Sequence, residues 1–129
     1  MKVLIILALG LLAVGCGKQE QTTTAKPVKE PTREDVVGTY ELKIGTVTNK
    51  NIFLDNGTIE YYANGENQYS KRKWSIVGKD IHIDTGNPIG IVQIHRLNPD
   101  NSMTVIAVLI GGERRELPKN NQHTFNKIK

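Results

Sequence analysis

The sequence predicts an all-β fold: an antiparallel meander of about eight short strands, closed or partly closed into a barrel, after a signal peptide and a disordered linker. Three observations predict it. Apolar and polar residues alternate with period two beyond Asp35, turn residues separate the alternating runs, and no segment carries the apolar spacing of an amphipathic helix. Regular short strands with tight turns close on themselves because an open edge would pair with other chains.

The chain begins with Lys2, then an unbroken run of apolar residues and glycine from Val3 to Leu12, then Ala13-Val14-Gly15 just before Cys16, the only cysteine. This is the order of a secretory signal peptide. Even counted from Val3 to Gly15, the run is shorter than the roughly 18 to 20 apolar residues that cross a bilayer. An ordinary cleavage after Gly15 would leave Cys16 as an odd thiol in an oxidising compartment.

The stretch Leu12-Ala13-Val14-Gly15-Cys16 resembles a bacterial lipobox, with Ala13 where leucine is commonest. The resemblance implies residues 1–15 as a lipoprotein signal peptide, cleavage between Gly15 and Cys16, and a diacylglyceryl group on Cys16 Sγ. An acyl chain such as palmitate on the new amino terminus would complete the anchor. Two or more chains hold a protein stably on a membrane, each buried methylene contributing about 0.8 kcal/mol. The expected address is the cell envelope, and Gly17 in place of Asp favours the outer membrane where the organism has one.

Residues 16–35 form the tether. "GKQEQTTTAKPVKEPTRED" holds Val28 as its one β-branched apolar residue and cannot bury enough surface to offset the ordering of its backbone. As a random coil its residues give an end-to-end distance of roughly 25 Å, enough to lift a domain clear of lipid headgroups.

Residues 36–129 form the domain. "VVGTYELKI" places Val36, Tyr40, Leu42 and Ile44 on one side of a strand, with Thr39, Glu41 and Lys43 on the other. Asn56-Gly57, between Ile52-Phe53-Leu54 and Ile59-Glu60-Tyr61, signals a hairpin with a type I′ turn, and Asn64-Gly65 repeats that chemistry. In "SKRKWSIVGKDIHID", Trp74, Ile76, Ile81 and Ile83 share a face, with a tight connection at Gly78. Two longer strands flank Asn98-Pro99-Asp100-Asn101, and a last one is expected near His123 to Ile128.

Gly38-Thr39-Tyr40, "FLDNGTIEYY" and "KRKWSIVGKDIHI" resemble the Gly-x-Trp opening and paired hairpins of the small lipocalin-like domains carried by bacterial lipoproteins, over residues 36 to 84. The resemblance implies a barrel and a carrier of a small hydrophobic ligand. Tyr40, Tyr61 and Trp74 are the aromatic residues that would line such a cavity. The bulk of the inward set favours a filled core, because an eight-stranded barrel has room for side chains or one small ligand.

"MTVIAVLI", Met103 to Ile110, is apolar on both faces apart from Thr104 and needs a cover. The C-terminal segment with Phe125 and Ile128 supplies one; otherwise Met103, Ile106, Val108 and Ile110 form a binding face for an envelope protein. No catalytic residue and no cofactor is expected: there is no Gly-x-Ser-x-Gly elbow, phosphate-cradling loop or HExxH pair. His82 and Asp84 share a strand face, but it is an outward one, and nothing aligns them with His95 or His123, so no metal is expected. The acids Glu60, Glu66, Asp80 and Asp84 read as solvated; an envelope enzyme of unknown reaction, with carboxylates of different strands brought together by the fold, stays as an alternative. The net charge of +4 and the clusters Lys71-Arg72-Lys73 and Arg114-Arg115 suit a solvated edge or an anionic surface, not nucleic acid in an envelope location.

Overall fold

The computed structural model describes residues 29–129, without the side chains of residues 69–71. The expected signal peptide, Cys16 and most of the expected tether lie outside the described residues. The elements run α1 (Arg33–Val36), β1 (Gly38–Ile44), β2 (Val47–Phe53), β3 (Thr58–Ala63), β4 (Glu66–Val77), β5 (Asp80–Asp84), β6 (Val92–Leu97), β7 (Met103–Ile110), β8 (Glu113–Glu116) and β9 (Thr124–Lys127). Strands β1 to β7 pair antiparallel in chain order, and β9 closes the circle between β7 and β1. Eight strands thus make a closed barrel, and β8 lies beside it on β7.

The seam divides β7 in two. Met103 and Thr104 pair with Phe125 and Thr124 of β9, whereas Ala107 to Ile110 pair with Glu116 to Glu113 of β8. The segment between β8 and β9, including a 3₁₀ turn at Lys119–Asn121, carries the chain from one half to the other.

The period-two reading of β1, β4 and β5 places its residues as expected: Tyr40, Trp74, Ile81 and Ile83 are buried together, with Leu42 and Ile76 packed against them. Burying side chains of this size contributes about 1.5 to 3 kcal/mol each. Phe53 sits centrally, edge-on to Tyr40 at 5.4 Å and to Trp74 at 5.7 Å between ring centroids.

Val36 and its neighbours correct the sequence reading. Thr32 to Asp35, expected to end the tether, form a capping box in which the Thr32 side chain accepts from the Asp35 N–H and the Asp35 carboxylate accepts from the Thr32 N–H. The resulting single turn, α1, plugs one end of the barrel. Val36 is fully buried in it, and the Tyr40 hydroxyl donates to the Val36 carbonyl at 2.8 Å. The Arg33 guanidinium lies 4.9 Å above the Trp74 ring and donates to the Asp55 carbonyl at 2.7 Å. Lys127 donates to the Asp35 carbonyl at 3.1 Å.

Turn chemistry differs from expectation at one hairpin. Of Asn56 and Gly57 only Gly57 has positive φ, so this turn is not type I′; the Gly57 N–H donates to the Leu54 carbonyl instead. At Asn64-Gly65 both φ values are positive, 51° and 84°, as type I′ requires.

The double-sided burial of "MTVIAVLI" comes from a β-bulge. Ile94 pairs with Ala107 but His95 pairs with Val105, which leaves Ile106 as an extra residue. The alternation therefore skips one position: Met103, Val105 and Val108 belong to the inward side, and Ala107 and Leu109 to the outward side. Outward Ile94 and Ala107 are nonetheless fully buried. The neighbouring strands carry an ionic network, in which Arg114 of β8 pairs with Glu116 and reaches across to Asp80 at 3.1 Å, beside the Arg96–Asp80 pair at 2.8 Å. Phe125 of β9 pairs with Met103 and is buried with it, whereas Ile128 is 47% exposed.

Candidate functional site

The two ends of the barrel are built differently. The end under α1 is packed solid by Tyr40, Phe53, Ile59, Trp74 and Met103. The other end, ringed by the β1–β2, β3–β4 and β7–β8 turns, holds a cavity of about 370 Å³. The expected filled core is thus correct for one half of the barrel only.

Strand β2 supplies the polar floor. Lys50 must face solvent, so the period of two turns its neighbours Asn49 and Asn51 inward. Both are buried and both line the cavity. Tyr61 stands opposite Asn51 on β3, and its hydroxyl donates to Asn49 Oδ1. Gln93 and His95 enter from β6, where His95 Nε2 lies 3.2 Å from Gln93 Oε1. The aliphatic wall comes from β1 and β7, with Leu42, Val105 and Val108, and Phe125 of β9 completes it.

His95 is 1% exposed, and burial pushes its pKa down to about 3, so the imidazole is neutral at physiological pH. A neutral ring next to Gln93 Oε1 carries its proton on Nε2, which leaves Nδ1 as an acceptor. Nδ1 has no hydrogen-bond partner among the described residues. Phe53 lies edge-on to the ring, 6.5 Å between centroids. Asn51 is 8% exposed and makes no side-chain hydrogen bond among the described residues, and its carboxamide faces the cavity.

The residues expected to matter are distributed unevenly around this site. Tyr61 and Val108 line the cavity. Tyr40 and Trp74 lie in the packed half, where burial, with the charge of Asp35, pushes the Tyr40 phenol up to about 12 and Trp74 Nε1 donates to the Leu54 carbonyl at 3.0 Å. Met103 is 1% exposed core; Ile106 and Ile110 are half-buried, so Met103, Ile106, Val108 and Ile110 do not form one outward face. Asn49, Asn51, Gln93 and His95 were missed as a group, although Lys50 alone fixes the direction of the two asparagines.

Elsewhere, His82 and Asp84 line an outer depression with Lys73 and Ser75, while His95, paired with Ile81, points to the opposite face of the sheet. No group of three or more His, Cys, Asp or Glu capable of holding a metal occurs among the described residues. A larger groove of about 470 Å³ lies outside the plugged end, between Pro31, Lys79, Leu97 and Pro99. It is walled by loops and contains no unpartnered buried polar atom. No helix among the described residues is long and apolar enough to cross a membrane.

No family model matches the chain, and comparisons with curated proteins and with solved structures find no match.

Proposed function

We propose that this protein is an envelope lipoprotein, held at a membrane by acylated Cys16, whose β domain binds a small molecule noncatalytically in the open half of the barrel. The observation that carries the reading is the contrast between the ends: one packed and plugged, the other a cavity of about 370 Å³ with buried polar groups turned into it. Ligand pockets have this form, a concave and mostly apolar surface with a few convergent polar groups, and volumes from about 300 Å³ upward. A barrel needed only as a structural block would gain stability by filling the space.

The anchor rests on Leu12 to Cys16 and on the polar stretch that follows it. Cys16→Ser is expected to leave an uncleaved or mislocalised precursor in cell fractionation; membrane retention equal to that of the native chain would refute the anchor. Binding is tested by the mass of the protein purified gently from cells, measured under native and then denaturing conditions. Extra mass that leaves on denaturation supports a ligand in the barrel. Equal masses for a monomer count against it and return attention to the outer surface. Trp74 fluorescence is a poor reporter here, because that indole is buried in the packed half.

A further inference from the structure

We infer that the cavity takes an uncharged, oxygen-rich molecule of about the size of one sugar ring, a neutral polyol, and not an acyl chain or an ion. The inference rests on the reading of the cavity as a binding site and follows from what lines it. Three carboxamides, Asn49, Asn51 and Gln93, converge there with the Tyr61 phenol and the imidazoles of His95 and His123, and no Lys, Arg, Asp or Glu lies among the lining residues.

Their hydrogen bonds to one another leave capacity over. Asn49 uses Oδ1 to accept from Tyr61, and Gln93 uses Oε1 toward His95, so both amide NH₂ groups remain as donors facing the cavity. Asn51 offers a donor and an acceptor, neither engaged by a side-chain hydrogen bond among the described residues. Hydroxyl groups, which donate and accept at one atom, match such a mixed set better than any other small neutral group.

Two alternatives fail on the same lining. An acyl chain would strip water from three carboxamides and return no hydrogen bonds. An anion or cation would lose its hydration and find no opposite charge in the buried part of the cavity, since His95 is held neutral by its burial and His123, the other imidazole of the lining, is exposed to solvent. Against the polar side, Leu42, Val105, Val108 and Phe125 give the C–H face of a ring somewhere to lie. The volume of about 370 Å³ lies at the lower end of the range of small-molecule pockets, about 300 to 1,000 Å³, and accommodates a single ring with its hydroxyl groups.

The test begins with the compound released when the full mature protein, purified from cells, is denatured, identified by mass. It continues with titrations of ¹⁵N-labelled protein by glycerol, glucose, N-acetylglucosamine, glucuronate and palmitate, following the side-chain NH₂ resonances of Asn49, Asn51 and Gln93. A neutral, oxygen-rich compound, or shifts of these amides by a neutral member of the panel alone, supports the inference. Asn51→Leu, close to isosteric, is then expected to weaken binding at least tenfold, and Thr48→Ala on the outer face to leave it unchanged. A released fatty acid, or amide shifts with palmitate or glucuronate alone, overturns the ligand class and leaves the binding site standing. No released compound and no shift with any probe overturns both.

Discussion

At the scale of single residues, His95 makes stability depend on pH. In the unfolded chain an imidazole binds a proton below about pH 6.5; in the barrel it does so only near about 3. The unfolded state therefore holds more protons across that interval, and the fold loses about 1.4 kcal/mol per pH unit as pH falls. Between pH 6.5 and 4.5 the loss from this group is expected to reach about 2 to 3 kcal/mol in urea unfolding. His95→Gln should flatten the slope. Asp80 acts lower on the scale: burial alone would raise it, but the bonds from Arg96 and Arg114 hold it below its ordinary 3.8. Gly38 is a second residue with no latitude. Its φ is 149°, and a Cβ there would stand 2.4 Å from the Lys129 carbonyl oxygen, beside the bond from the Thr39 N–H to that same oxygen. Gly38→Ala is expected to destabilise the fold by about 1 to 3 kcal/mol, measured by denaturant midpoint. His95 could not be placed from the sequence, because an imidazole suits either face of a strand and only pairing with Ile81 puts it inside.

At the scale of elements, the strands were legible and the exceptions have local causes. Period-two alternation in β1, β4 and β5 depends on neighbouring residues alone, so it is written plainly. In β7 the bulge at Ile106 is set by what its partner strands require, and a sequence that skips one position reads as apolar on both sides. The turn α1 was hidden for a different reason. Thr32-Arg33-Glu34-Asp35 carries a capping-box signature, but no periodic apolar run follows it, and a single turn has no helical stability of its own. Its stability comes from tertiary contacts, chiefly Val36 beneath Tyr40 and Arg33 over Trp74. Arg33→Ala is therefore expected to cost about 1 to 2 kcal/mol and to shift Trp74 emission to the red as water reaches the ring. An unchanged spectrum would mean that the plug holds without its arginine.

At the scale of the whole molecule, dense packing and open volume are divided between the two ends. The packed half contains the aromatic cluster, and the open half gives up core volume to polar side chains. The barrel itself was legible from strand number and turn spacing. Its hollowness was not, since the volume left inside depends on which inward residues stand at the same height. Filling the space tests the division. Leu42→Trp points a large ring into the cavity from β1 and is expected to raise stability by about 1 kcal/mol, several degrees in a thermal melt, through added apolar burial. The same substitution should abolish retention of any bound compound in the native mass; a destabilised barrel would show that the wall cannot accept the ring. Finally, the described chain arrives at the plugged end, through Pro31 and Thr32 into α1. For a chain held at Cys16, as proposed, the mouth lies at the end of the barrel opposite the tether's point of entry. On that proposal, cargo would reach the mouth as a diffusing solute from the aqueous side and would not have to be extracted from the bilayer.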